Sequence, residues 1–303
     1  FLERKVFSIL TKKIKAIYNK KELISFSLPL LLSDLFVNII KWTDTWLLGV
    51  FKTTSEVGLY NAALPTANLL VLVPTALMAI FIPIITELYA KNKLNEIKRI
   101  SKFISKWIFF INIPIAAFLI IFSKNILNIM FGKEYNVAYI AMIILILANI
   151  FYSLSHIYSN LLQMLKKTKT IFVIFLISIV INIVLNIILI PPYGIIGAAI
   201  AAAVYLLSLY LLMSLATYKF KKIQILRFIY LKSIIAILIT TIIIIQIAKW
   251  LKPESIINLI LLSLILFVIY IVLVIIFKGL EKEDITIIKD LKGKLLTKHK
   301  KTL

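Results

Sequence analysis

The chain has 303 residues, 62% of them apolar, with no cysteine and a mean hydropathy of +1.03. A soluble domain is about 45–50% apolar, so this composition excludes a disordered chain, a secreted disulfide scaffold and an ordinary soluble globular domain. The net charge is +22, but the Lys and Arg residues lie between apolar runs, where they set topology and meet anionic lipid; no nucleic-acid partner is expected.

A bilayer core takes about 20 apolar residues per helix, and eight runs of that kind follow one another. They predict an all-α polytopic transmembrane helix bundle with spans near 24–48, 60–88, 104–122, 137–163, 171–190, 195–218, 228–248 and 255–277. None alternates in and out every second residue as a barrel strand does. Before the first run, residues 1–23 form a basic segment in which Phe7, Leu10, Ile14 and Ile17 recur at helical spacing. The first span carries Ser27, Asp34, Asn38, Lys41 and Thr45 on one stripe, with Asp44 at its edge. Ionisable groups at bilayer depth face a bundle interior or a hydrated cavity. The stripe is therefore a candidate cavity wall for an anionic ligand or a coupling cation; the competing reading is a structural Lys41–Asp44 pair, three residues apart, anchored by Trp42 and Trp46.

The second span places Asn61, Asn68, Thr75 and Thr86 near one face and has prolines at 65, 74 and 83, a pattern for a bent or hinged helix. In the fourth, Asn149, Ser153, His156, Asn160 and Gln163 share a face. His156 is the one side chain there with an ordinary pKa near neutrality, so proton coupling is weighed against simple hydrogen bonding. The fifth carries Ser178, Asn182 and Asn186 at four-residue steps, either joining helices or lining a cavity. The sixth opens with Gly194, Gly197, Ala198, Ala201 and Ala202, a small face for close packing. The last two spans, within 221–277, have few polar residues, and Lys232 is expected to snorkel. A basic tail at 278–303 repeats an amphipathic pattern through Ile285, Ile288, Leu291 and Leu295.

Alternate loops hold 28 Lys and Arg on one side and 5 on the other, with Lys41 and Lys232 inside helices. The positive-inside rule then places both termini in the cytoplasm and the chain in the cell membrane. No Ser/His/Asp set, phosphate loop or HExxH motif is present, so no enzyme activity, cofactor or metal site is expected.

The order of local motifs carries a family resemblance. Ser27-Leu28-Pro29-Leu30 precedes Thr43-Asp44-Thr45-Trp46-Leu47-Leu48-Gly49. Glu56-Val57-Gly58-Leu59-Tyr60-Asn61-Ala62-Ala63, Ile82-Pro83-Ile84-Ile85-Thr86-Glu87-Leu88 and Met130-Phe131-Gly132-Lys133-Glu134-Tyr135 come next. Asn182, Leu185-Asn186 and Ile190-Pro191-Pro192-Tyr193-Gly194-Ile195-Ile196-Gly197-Ala198-Ala199 complete the series. Together they resemble the C-terminal half of a Wzx-like polysaccharide transporter, of the multidrug/oligosaccharidyl-lipid/polysaccharide exporter superfamily. The resemblance implies one six-helix lobe over 24–220 plus an extra helix pair. It implies alternating access between two lobes and a polyprenyl- or dolichyl-diphosphate-linked oligosaccharide as cargo, with Lys41 and the Asn stripes as head-group contacts. The N-terminal lobe expected of such a transporter is not in this sequence, and position 1 is Phe. The chain is accordingly expected to be the C-terminal part of a two-lobed protein, a split-gene product that gains its other lobe in trans, or a remnant. The competing functions are a multidrug exporter of the same superfamily, a membrane-embedded polysaccharide synthase or glycosyltransferase, and a structural assembly subunit.

Overall fold

The computed structural model describes residues 20–225 and 229–279. The two amphipathic patterns, at Phe7–Ile17 and Ile285–Leu295, lie outside these residues. The described chain is helical: α1 (Lys20–Phe51), α2 (Thr54–Asn68), a 3-10 turn (Leu69–Val71), α3 (Leu72–Ala90), α4 (Leu94–Ile121), α5 (Ser123–Phe131), a second 3-10 turn (Lys133–Ala138), α6 (Tyr139–Met164), α7 (Thr168–Lys221), α8 (Ile229–Leu251) and α9 (Ile256–Ile276).

Seven continuous stretches are long and apolar enough to cross a membrane, where the sequence predicts eight spans. The difference lies in α7. Its 54 residues would reach about 81 Å if straight, against a bilayer core of about 30 Å. Pro191 and Pro192 lack amide donors, and Gly194 takes φ 54°, ψ −131°, which an L side chain rarely tolerates. The chain folds back there. A Cβ built on Gly197 would land on the carbonyl of Leu189, whereas positions so far apart in a straight helix are separated by about 12 Å. α7 is thus two antiparallel arms, each long enough to span, and the eight predicted spans are all present.

Contacts between turns agree with this path. A Cβ on Gly194 would meet the Glu56 carboxylate of the α1–α2 connection. Asn125 of α5 donates to Pro253 O at 2.8 Å, so these turns lie at shared ends of the bundle. At the other end, the Ile225 amide donates to the Tyr158 hydroxyl at 3.3 Å.

α6 is the hub, packing on α2, α3, α4 and α7, with Phe151 and Tyr158 against Tyr210 of the second α7 arm. Leu145, Ile146, Leu154, Ile157 and Leu161 are fully or nearly fully buried. α8 and α9 pack on each other and on α4, and Lys232 is exposed with its ammonium donating to Lys278 O at 3.2 Å. α1 is the least covered span: 11% of its most apolar stretch is buried, against 56% for α4.

Two stretches read as loop are helical. α2 starts six residues before the predicted Tyr60, and α4 starts ten before Ile104, so the basic connection over 89–106 narrows to a short turn after Ala90. Lys106, counted with that loop, is fully buried on α4, its ammonium 5.5 Å from the Phe110 ring centre. Hydropathy located the most apolar portion of each helix; in the first turns of α4 charged residues mask an apolar face through Leu94, Ile97 and Ile100, of which Ile97 is fully buried.

Candidate functional site

The inward face of α1 runs through Ser33, Val37, Ile40, Asp44 and Leu48, at helical spacing. At 100° per residue Asp44 lies about 80° round the helix from Asp34. That angle separates two environments. Asp44 is 7% exposed and points at α7. It accepts from Asn186 Nδ2 at 2.7 Å, Asn182 Nδ2 at 3.1 Å and the Tyr60 hydroxyl at 3.1 Å. Asn186 also donates to Asn182 Oδ1 at 3.0 Å. Ser178, Asn182 and Asn186 are fully buried, so this stripe joins α7 to α1 and does not line an open channel. Asp44 is fastened by amides and a phenol; the predicted Lys41 pairing concerns a side chain outside the described ones.

Asp34 and Asn38 face outward and are exposed, with Asn38 Nδ2 returned to the Asp34 carbonyl at 3.0 Å. Asn61, also exposed, accepts from Thr45 Oγ1 at 3.1 Å and ties α2 to α1. The predicted single stripe is therefore split: its outward members lie on the uncovered side of α1, and the carboxylate at its edge is inside.

The kink between α2 and α3 has a definite cause. A proline in a helix leaves the carbonyl four residues earlier without its donor; for Pro74 that is Leu70 O. Ser153 Oγ donates to it at 3.4 Å from α6. Where the helix tightens to the 3-10 turn, Asn149 Nδ2 donates to Ala67 O at 3.3 Å and to Asn68 Oδ1 at 3.2 Å. The polar face of α6 thus braces the bend. Ser153→Ala should lower stability by about 0.6 kcal/mol, and Pro74→Ala, which restores the amide donor, should abolish that cost. A double-mutant cycle on thermal unfolding checks both.

Beside this brace lies a cavity of about 470 Å³. Its polar wall is Asp44, Asn68, Asn149, Tyr152, His156 and Tyr205, set against an apolar wall from α1, α2, α6 and the second arm of α7. Four sequence candidates, Asp44, Asn68, Asn149 and His156, therefore meet at one cavity. Asn182 and Asn186 stand behind Asp44, Asn61 lies on the α1–α2 seam, and Asp34 and Asn38 lie outside. The buried Nε2 of His156 and Oδ1 of Asn149 make no hydrogen bond to the protein, leaving two polar atoms for a ligand or water. His156 stands edge-on to Tyr152, ring centres 5.0 Å apart. Among the described residues no three His, Asp or Glu side chains converge as metal ligands would.

Sequence reading missed the tyrosines. Tyr152 was within reach, being on the Asn149–His156 face at helical spacing. Tyr60 and Tyr205 carry no local signal, because their partners come from other helices.

Helices long and apolar enough to cross a bilayer, packed around a polar cavity, define a multi-pass helical membrane protein. Residues 29–188 match the MatE family, and the chain belongs to it. Among curated relatives, the chain is 31% identical over 186 residues to the "Probable low-salt glycan biosynthesis flippase Agl15" of Haloferax volcanii, covering 61% of this chain and 39% of the relative. It is 34% identical over 166 residues to the "Probable flippase AglR" of the same organism, covering 53% of this chain and 34% of the relative. The chain thus spans well under half the length of these relatives. Its fold is similar to that of the lipid II flippase MurJ in an inward closed conformation, with a TM-score of 0.65, 20% identity, and coverage of 90% of this chain and 59% of that one.

Proposed function

We propose that this chain is one lobe, with an additional helix pair over 221–277, of a flippase that moves a lipid-linked oligosaccharide across the cell membrane by alternating access. The observation that carries the reading is the exposure of Asp34 and Asn38 at mid-span on α1, the least covered helix. Lipid tails cannot solvate a carboxylate or an amide. A water-filled space beside a second lobe can, and such a lobe comes in cis or in trans. The cavity lined by Asp44 lies on the opposite, inward face of the same helix, where Asp44 is fastened to the first arm of α7. Both ends of the eight-span path are read as cytoplasmic from the skew of basic residues in the sequence, 28 against 5 between alternate connections. Lys41 and the cavity amides are the donors for a diphosphate head group, while the lipid tail stays in the bilayer. The name of Agl15, a probable glycan biosynthesis flippase, supports a glycan cargo, and that of AglR, a probable flippase, supports transport as the activity.

The test is the pair Asp34→Leu and Asn38→Leu in the intact transporter, read by flipping of lipid-linked oligosaccharide in vesicles. If these positions line the hydrated space, flipping falls more than about tenfold while insertion is unchanged. Normal flipping by both variants means that α1 faces lipid there, and the two-lobed reading fails.

A further inference from the structure

A second cavity lies at the bundle end that carries most of the positive charge, away from the Asp44 site. It measures about 400 Å³ and is formed where α1 begins, where α6 turns into α7 and where α7 ends. Ser25, Lys166, Lys167, Lys169, Thr170 and Phe220 are among its lining residues, and none of the described residues that line it is acidic.

The turn that supplies the lysines is built tightly. α6 closes with Lys166 at φ 56°, its amide donating to Gln163 O at 2.9 Å, and the Lys167 amide donates to Leu162 O, also at 2.9 Å. This is a Schellman closure. α7 follows directly at Thr168, and its cap, Lys167, gives no side-chain hydrogen bond. The first amides of α7 therefore add the positive end of a helix dipole to three ammonium groups. The Lys167 ammonium lies 4.6 Å from the Phe220 ring centre, and both residues line the cavity. Four sources of positive potential and two threonine side chains, with no carboxylate among the described residues that line the cavity, make a receptor for a phosphoryl group.

We propose that this cavity binds the phosphate of an anionic membrane lipid, seating α1 against the α6–α7 turn. The lipid site stands apart from the flippase reading: it rests on groups that the Asp44 cavity does not use, and its test measures no transport.

The test uses the intact protein in phosphatidylcholine nanodiscs, with phosphatidylglycerol titrated in and retained lipid counted by native mass spectrometry. Removing one lysine should weaken retention about fivefold, and the triple variant K166Q/K167Q/K169Q on the order of 100-fold. Lys91→Gln, at an exposed lysine paired with Glu87, should leave retention unchanged. These side chains are exposed, so folding should survive; Lys169→Glu, expected to act more strongly than Lys169→Gln, is a second route to the same reading. Millimolar inorganic phosphate distinguishes the source. Persistence of the lipid adduct assigns the site to a lipid headgroup, and displacement by phosphate assigns the same phosphoryl chemistry to a soluble anion and overturns the lipid assignment. Equal retention of phosphatidylglycerol by the wild type and the triple variant would overturn the proposal altogether.

Discussion

Asp44→Ala is expected to destabilise the protein by about 3 kcal/mol or more and to abolish transport. The carboxylate accepts from three buried donors on two other helices. Each donor left without an acceptor costs about 1 kcal/mol or more, and Tyr60, Asn182 and Asn186 are all fully buried. Asn186→Ala should cost less, since Asp44 keeps Asn182 and Tyr60. Asp44→Ala with Asn186→Ala should cost less than the two alone added together, because the second change removes a donor that the first has stranded. Asp44→Asn keeps the volume, and its oxygen can still accept from both asparagines while its new amide donates to the Tyr60 hydroxyl, so it should cost less stability than Asp44→Ala. Thermal unfolding in detergent and a flipping assay check the set. An Asp44→Ala protein as stable as the wild type would remove the carboxylate from its place as the α1–α7 clasp.

Gly197→Ala is expected to prevent the α7 hairpin from closing. The added methyl would overlap the Leu189 backbone, and backbone at a bend of two prolines and a glycine has little room to yield. Gly194→Ala should be milder, although its φ of 54° is unfavourable for alanine. The atom it meets belongs to the Glu56 carboxylate, the end of a flexible side chain that can swing away, leaving about 1–2 kcal/mol of backbone strain. The two variants should therefore separate in size-exclusion profiles of the solubilised protein, with Gly197→Ala aggregated or absent and Gly194→Ala monodisperse with a lower Tm. Indistinguishable profiles would mean that the arms of α7 do not approach at Leu189 and Gly197.

The spans were readable because burial in lipid is a composition rule: a helix that must cross about 30 Å of hydrocarbon declares itself by an uninterrupted apolar run. The Pro191-Pro192-Tyr193-Gly194 break between the fifth and sixth spans was readable too, since two missing amides and a left-handed residue are local properties. The true starts of α2 and α4 were not, because charged and polar residues there lower the local hydropathy even where an apolar face, as at Leu94, Ile97 and Ile100, is present. At the site, the Asn149–His156 face could be read from spacing alone and does line the cavity. The separation of Asp34 and Asp44 by about 80° was computable, but which side of α1 meets α7 was not, so spacing alone did not tell which of the two carboxylates is buried.

Chain-local physics was therefore enough to establish a multi-pass helical protein, its eight spans, its skewed basic loops and the amide-bearing faces of α6 and α7. Only the packed molecule decided that Asp44 closes a clasp with Tyr60, Asn182 and Asn186 while Asp34 and Asn38 stay uncovered, that Ser153 serves the carbonyl released by Pro74, and that three lysines share a cavity with Phe220. The reason is that hydropathy and helical period act within one helix, whereas a hydrogen bond between helices depends on their rotation and register. Those are set by the summed packing of side chains far apart in the chain.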